Sequence, residues 1–102
     1  MKATIIGAGN IGLALAAGLV ESGACKSSEI TLTRRNTKSL VDWQKKGFRL
    51  ESDNKLGIVG ADTIFVCVLP QQLNDVLEEI KADINTKKQL IVSVVTGAHT
   101  SV

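Results

Sequence analysis

The chain is predicted to form a doubly wound α/β domain, in which helices cover both faces of a parallel sheet. Two observations predict it. Short runs of β-branched and apolar residues alternate along the chain with segments of helical periodicity. One run, at residues 62–68, is apolar almost throughout, which is typical of a central strand buried on both faces. Because connections in such sheets are short and right-handed, the expected order of the five strands is 3-2-1-4-5.

The predicted elements follow one another without an internal repeat or an interdomain linker. The first strand ends at a glycine loop, and the helix after it has an apolar stripe predicted to face the sheet, formed by Ile11, Ala14, Leu15, Gly18 and Leu19. Gly23 is its predicted stop. The later elements are a strand at 29–33, a helix at 37–46 ended by Gly47, an edge strand at 48–51, a short connection at 54–60 with one or two helical turns, a strand at 62–68, a helix after Pro70 with Leu73, Val76, Leu77 and Ile80 on one face, and a strand at 90–95.

The loop after the first strand has a G-x-G-x-x-G pattern, formed by Gly7, Ala8, Gly9, Asn10, Ile11 and Gly12. Between a strand and a helix, this pattern indicates a pyrophosphate-binding loop. Gly7 allows the tight turn, Gly9 lets the backbone approach the phosphates, and Gly12 lets the helix pack against the strand. The unpaired amides and the positive dipole end of the helix then face the anion. The alternative is a tight strand-to-helix turn that binds no ligand.

The residues after the second strand indicate which dinucleotide the loop would bind. A site for NAD carries Asp or Glu about 20 residues beyond the glycines, where the carboxylate accepts hydrogen bonds from the ribose. This chain has Arg34, Arg35 and Asn36 there, and two guanidinium groups would instead bind a 2′-phosphate through charge-assisted hydrogen bonds. We therefore predict NADP(H) as the cofactor. As alternatives, the arginines form a solvated basic turn and Asn36 caps the second helix.

Length, charge and cysteine content narrow the functional class. The chain has 102 residues and a formal net charge of +2, which argues against nucleic acid and membranes as partners. The N-terminus does not read as a signal peptide, and no run approaches the roughly 18 apolar residues of a membrane span.

Cys25 and Cys67 have no partners at metal-ligand spacing, so we interpret both as free thiols in a reducing cytoplasm and propose no metal site. A chain of this size is too short to form binding sites for both a dinucleotide cofactor and a substrate, so we expect a further domain.

Four ligand-binding loops are predicted at the carboxyl ends of the strands, at residues 7–12, 33–36, 68–71 and 95–99, and motifs at all of them, together with one further motif, are shared with a known family. They are the glycine loop, Thr33-Arg34-Arg35-Asn36, Asp53-Asn54, residues 61–65 running to Leu69-Pro70-Gln71, and Ser93-Val94-Val95-Thr96-Gly97. With these motifs the chain resembles the N-terminal half of pyrroline-5-carboxylate reductase. The resemblance implies a dinucleotide-binding domain of Rossmann type over residues 1–102, and a C-terminal domain, absent from this chain, for dimerisation and much of the substrate pocket. It also implies hydride transfer from NADPH or NADH to the imine carbon of 1-pyrroline-5-carboxylate, which forms L-proline, in a homo-oligomeric enzyme.

The resemblance further implies a role for each matching position. It puts the pyrophosphate at residues 7–12, the adenosine 2′-phosphate at Arg34, Arg35 and Asn36, the adenine ribose near Asn54, the nicotinamide ribose beside Val68, Leu69 and Pro70, and the nicotinamide ring with the substrate beside Thr96, Gly97 and Ala98. Two positions depart from the family pattern, which usually has Lys where this chain has Leu69 and Ala where it has Thr96. Another NADP-dependent reductase, such as a deazaflavin-dependent one, and a non-catalytic NADP-binding module stay open as alternatives.

No residue of the chain is assigned a catalytic role. His99 is interpreted as an ordinary polar residue of the loop after the fifth strand, and Trp43 as a packing residue of the second helix. The acidic residues Glu78, Glu79 and Asp83 are interpreted as a solvated helix face. Because the hydride belongs to the cofactor and most of the substrate pocket to the absent domain, we expect no reductase activity from this chain alone.

Overall fold

Five parallel strands form one sheet in the order β3-β2-β1-β4-β5, as predicted. The computed structural model describes residues 2–7, 9–34, 37–84 and 88–95, and of residues 10, 37, 39, 70 and 95 it describes the backbone alone. The elements are β1 (Ala3–Ile6), α1 (Asn10–Glu21), β2 (Ile30–Thr33), α2 (Val41–Lys45), β3 (Arg49–Glu51), α3 (Asn54–Gly57), β4 (Thr63–Val68), α4 (Pro70–Ile80) and β5 (Leu90–Val95), with 3-10 turns at Ser27–Glu29 and Thr37–Leu40.

The two central strands are buried on both faces, as the apolar run at 62–68 predicts for β4. All four residues of β1 are buried, and five of the six residues of β4 are. Because successive side chains of a strand point to opposite faces, Ile5 joins a core cluster with residues of α1, β2 and β4, whereas Ile6 joins a second cluster with Ile58 and Ile80 on the other face. The sheet therefore separates two apolar layers. The edge at which the parallel strands end, called the carboxyl edge of the sheet, lies between these layers.

Element boundaries differ from the predicted ones by a few residues. β2 begins at Ile30, because Glu29 ends a 3-10 turn in which its carboxylate accepts the Lys26 amide at 2.9 Å. β4 begins at Thr63, because Asp62 pairs with the chain start: its carboxylate accepts the Lys2 amide at 2.9 Å. The second predicted helix is divided into a 3-10 turn and the short helix α2. β5 has the predicted bounds, and β3 pairs with β2 at the edge of the sheet.

The buried face of α1 is rotated from the predicted stripe. The helix residues that belong to or pack against the core are Leu13, Leu15, Ala16 and Leu19. The prediction is correct for Leu15 and Leu19 and wrong for Ile11, Ala14 and Gly18, which are exposed. The helix is apolar around most of its circumference, so periodicity does not select a face. The rotation is set instead by Gly12, which lies against Ile5 of β1.

Two interpretations of single residues are confirmed. Trp43 packs in the core cluster and meets the Phe48 ring edge-on, with the ring centroids 5.3 Å apart. Cys25 and Cys67 are free, buried thiols. Among the helices of the part of the chain that the structure describes, none has the length and apolar character needed to cross a bilayer.

Candidate dinucleotide-binding site

A groove of about 1080 Å³ runs along the carboxyl edge of β1, β2 and β4. It lies at the point where the strand order reverses, since β1 has β2 on one side and β4 on the other. Ligands of doubly wound sheets bind in this crevice. The predicted site residues that line the groove are Gly7, Gly9, Ile11, Gly12, Arg34, Asn54, Val68 and Leu69. The structure thus brings together three of the four predicted loops.

Several of the other predicted site residues lie outside the part of the chain that the structure describes, wholly or in their side chains. Ala8, Arg35, Asn36, Thr96, Gly97 and Ala98 lie outside the described residues, as does His99. For Asn10 and Pro70 the backbone is described as the first residue of α1 and of α4, but the side chain is not. Their roles therefore stay predictions.

The fold itself favours glycine at Gly7 and Gly12, because a side chain would overlap backbone at Gly7 and crowd its neighbours at Gly12. Gly7 has a φ of +77°, and a Cβ there would overlap the carbonyl oxygen of Cys67. A Cβ at Gly12 would lie 3.1 Å from Ile5 Cγ2 and 3.2 Å from the Gly7 carbonyl oxygen. The loop therefore lies close against β4 at Gly7, and α1 lies close against β1 at Gly12, as the predicted roles of the two residues require.

Gly9 is under no such constraint. Its φ of −87° and ψ of −161° are ordinary extended values, and no described atom lies within 4 Å of a Cβ built on it. A side chain there would enter open space beside the groove that Gly9 lines. The protein structure alone therefore gives no reason for a glycine at this position, whereas a ligand passing close to the backbone does.

The first turn of α1 supplies hydrogen-bond donors at the same place. The Gly9 amide donates to the Gly7 carbonyl at 2.7 Å, and the first helical bond runs from the Leu13 amide to the Gly9 carbonyl at 2.9 Å. The amides of residues 10–12 thus precede the first helical donor, the Leu13 amide, and have no acceptor within the helix. The cap residue Gly9 provides no side-chain hydrogen bond, and the first turn has no acidic residue. This end of α1 fits an anion such as a pyrophosphate.

The far side of the groove is built from β2, α3 and α4. The Arg34 amide donates to the Glu51 carbonyl at 3.1 Å, which holds the exposed Arg34 at the rim. The fully buried Thr33 donates through Oγ1 to Asn54 Oδ1 at 2.7 Å. Asn54 in turn donates through Nδ2 to Glu79 Oε1 at 2.9 Å. A chain of hydrogen bonds therefore connects the end of β2 with the end of α4 across the groove.

The contribution of α4 to the groove was not predicted from the sequence. Four of its residues, Gln72, Asp75, Val76 and Glu79, line the groove, and Glu79 is not merely part of a solvated face. Their spacing of three, four and seven residues places them on one face of a helix. The predicted helix begins at a loop on the ligand-binding edge of the sheet, so this spacing was the signal that could have identified them.

The end of β4 gives the groove an apolar lip. Val68 is buried, and Leu69 is 42% exposed at the position that precedes α4. Cys67 also lines the groove. Burial raises the pKa of the Cys67 thiol above its ordinary value, so this group stays protonated near neutral pH and is a poor nucleophile. The described lip therefore has no charged or nucleophilic group.

Fold and groove together define a dinucleotide-binding domain of the doubly wound class. A family model described as "NADP oxidoreductase coenzyme F420-dependent" matches residues 2–97. The chain belongs to this family.

Known proteins with similar sequences and structures confirm the resemblance found in the sequence. The chain is 38% identical over 94 residues to pyrroline-5-carboxylate reductase 1 of Dictyostelium discoideum, covering 92% of this chain and 17% of that protein. A pyrroline-5-carboxylate reductase structure from Coxiella burnetii has a TM-score of 0.83 and 31% identity, covering 94% of this chain and 36% of that one. An imine reductase from Myxococcus stipitatus, solved with NADP⁺, has a TM-score of 0.77 and 25% identity, covering 95% and 32%. The chain thus spans between 17% and 36% of these proteins.

Proposed function

We propose that this chain is the NADP(H)-binding part of a reductase that transfers hydride to a carbon–nitrogen double bond, as in pyrroline-5-carboxylate reductase. The observation that carries the proposal is Gly9, a glycine that the fold does not require, beside open space at a helix N-terminus. The relatives' names add the substrate class, since they are pyrroline-5-carboxylate and imine reductases.

The groove suggests a role for each part of its lining. The loop at residues 7–12 binds the pyrophosphate, Arg34, Arg35 and Asn36 bind the 2′-phosphate, and Asn54 contacts the adenine ribose. Val68, Leu69 and Pro70 flank the nicotinamide ribose, while Thr96, Gly97 and Ala98 lie beside the ring and the substrate. The cofactor, when bound, supplies the hydride, and the residues of this chain bind and orient it.

The proposal divides the work between this chain and a second domain. The domain of residues 1–102 holds the cofactor, while a C-terminal domain of the full-length protein supplies dimerisation and most of the pocket for a small cyclic imine. The two buried free thiols, Cys25 and Cys67, agree with a reducing compartment such as the cytoplasm. Neither nucleic acid nor a membrane is part of the proposed function.

A second candidate is a reductase that exchanges hydride with a deazaflavin. The description of the matching family names coenzyme F420, and the lip of the groove has the exposed apolar Leu69, where pyrroline-5-carboxylate reductases usually have a lysine. Assaying the full-length gene product with pyrroline-5-carboxylate and with oxidised deazaflavin separates the two candidates.

Cofactor binding is tested by titrating the chain with NADPH and NADH in a calorimeter. We expect NADPH to bind at least about tenfold more tightly, since one charge-assisted hydrogen bond to the 2′-phosphate contributes about 1.5–3 kcal/mol. The preference weakens with added salt. The double variant Arg34→Ala/Arg35→Ala loses it, whereas Lys45→Ala/Lys55→Ala, which removes two exposed charges that do not line the groove, retains it. Equal affinities for the two cofactors contradict the assignment.

The division of work is tested with NADPH oxidation in the presence of pyrroline-5-carboxylate. We expect turnover by the full-length gene product and none by the chain alone, because positioning the imine against the nicotinamide supplies roughly 7–11 kcal/mol of the barrier reduction. Turnover by the chain at the rate of the longer protein would show that residues 1–102 form a complete active site.

A further inference from the structure

Two adjacent acids, Glu78 and Glu79, occupy the last turn of α4. Carboxylates are unfavourable at this end of a helix, where the dipole is negative, so their partners decide what they do. Glu78 pairs with Lys81 at 2.7 Å, and both side chains are largely exposed. Glu79 is different, because its Oε1 accepts a hydrogen bond from Asn54 in another helix and both residues line the groove. The two acids thus form a natural comparison.

The carboxylate of Glu79 sets the orientation of the Asn54 side chain. An ionised carboxylate accepts hydrogen bonds and donates none, so the Asn54 group that faces it is the amide nitrogen. The amide oxygen is then left for Thr33, whose hydroxyl donates to it at 2.7 Å. Glu79 therefore determines which group donates and which accepts in the hydrogen bonds that connect the three side chains.

Without Glu79, the opposite orientation would be open to Asn54. The Thr33 hydroxyl has a second acceptor, the Ile5 carbonyl oxygen, at 3.4 Å. If the hydroxyl donated there, its oxygen would accept a hydrogen bond from a reversed Asn54 amide, because a hydroxyl both donates and accepts. Both orientations satisfy the fully buried Thr33, so Thr33 by itself does not select one.

The selected orientation matters for what the groove presents to a ligand. One N–H of Asn54 Nδ2 is taken by Glu79, and the second meets no acceptor among the described residues. Phosphate oxygens only accept hydrogen bonds, and ribose hydroxyl oxygens accept as well as donate, so an N–H donor at Asn54 serves both, whereas the reversed amide would offer a phosphate its oxygen. We infer that Glu79 is a positioning residue, which orients Asn54 so that its amide donates a hydrogen bond to the ribose or 2′-phosphate of the dinucleotide. This inference rests on the proposed function for the identity of the ligand.

A purely electrostatic role for Glu79 makes the opposite prediction. Its negative charge would repel a phosphate, so removing it would strengthen binding. The variants Glu79→Gln and Glu79→Ala separate the two roles, because both lose the charge but only the glutamine retains an acceptor oxygen for Asn54. Glu78→Ala is the matched control, since it removes the neighbouring charge without touching Asn54.

The experiment measures NADPH affinity of the whole chain and these three variants by calorimetry. We expect Glu79→Gln to bind within about threefold of the unchanged chain, Glu79→Ala to bind about three- to tenfold more weakly than Glu79→Gln, and Glu78→Ala to bind as the unchanged chain does. Equal affinities of Glu79→Ala and Glu79→Gln, or tighter binding by Glu79→Ala, would overturn the positioning role.

A second measurement needs no ligand and so separates this inference from the proposed function. The side-chain amide signals of Asn54 are followed by nitrogen–proton NMR in the free chain. We expect Glu79→Ala to shift them and to speed their exchange with water, and Glu79→Gln to restore slow exchange. Unchanged Asn54 signals in Glu79→Ala overturn the inference. Failure of the unchanged chain to bind NADPH, with the expected NMR result, overturns the proposed function and the identity of the ligand, and leaves the positioning of Asn54 by Glu79 supported.

Discussion

Replacing Gly9 with valine should abolish dinucleotide binding while leaving the fold intact. The backbone at Gly9 has extended φ and ψ angles that valine adopts without strain, and no described atom lies within 4 Å of a new Cβ. Gly9 makes no side-chain capping bond that the change would remove. The valine methyl groups would instead occupy the open space where the proposed pyrophosphate approaches the loop.

The expected effect of Gly9→Val on the free energy of unfolding is much smaller than its expected effect on the free energy of NADPH binding. Valine is a poorer cap than glycine but restricts the unfolded chain, so the free energy of unfolding should change by no more than about 1 kcal/mol. Losing two charge-assisted hydrogen bonds between loop amides and the pyrophosphate, at about 1.5–3 kcal/mol each, costs about 3–6 kcal/mol of binding. The dissociation constant for NADPH should therefore rise about a hundredfold to ten-thousandfold.

Calorimetric titration with NADPH and urea unfolding of the same preparation measure both quantities. The control is Gly18→Val, the same substitution on the exposed side of α1, where a new Cβ also meets no described atom within 4 Å. It should bind NADPH as the unchanged chain does. A folded Gly9→Val variant that binds NADPH with unchanged affinity would refute the reasoning. The loop would then be interpreted as a tight turn that binds no ligand.

Three further predictions concern stability. Gly12→Val should lower the free energy of unfolding by about 1–3 kcal/mol in urea, because even its Cβ would lie 3.1 Å from Ile5 Cγ2; a stability equal to that of Gly18→Val would contradict it. Gln89→Ala should cost about 1–3 kcal/mol in the same assay, because Nε2 donates to two carbonyls of the turn after α3 at 2.8 and 2.9 Å; no change would show that water replaces the amide. Burial raises the pKa of the Cys67 thiol above its ordinary value, so the folded state keeps this proton to a higher pH than the unfolded state does. The stability that the thiol contributes is present below its ordinary pKa and is lost as the pH rises through the pKa of the folded state. Urea midpoints between about pH 8 and pH 10.5 should fall more steeply for the unchanged chain than for Cys67→Ala.

Local sequence determined the order of the elements and the position of the glycine loop. β5 has the predicted bounds, and β4 is buried as its apolar run predicts. These features follow from side-chain periodicity and turn chemistry, which act between residues a few positions apart. The strand order followed because short, right-handed connections leave few arrangements for five parallel strands.

The tertiary structure alone decided which faces meet in the groove. The sequence of α1 is apolar on nearly every side, and its rotation came from the close approach of Gly12 to Ile5. The pair of Asn54 and Glu79 joins residues 25 positions apart, on helices that no local pattern connects. Such contacts depend on how the sheet places α3 and α4 over one face. Periodicity describes one element at a time, so the contact between two elements, and with it the role of Glu79, was decided by their packing.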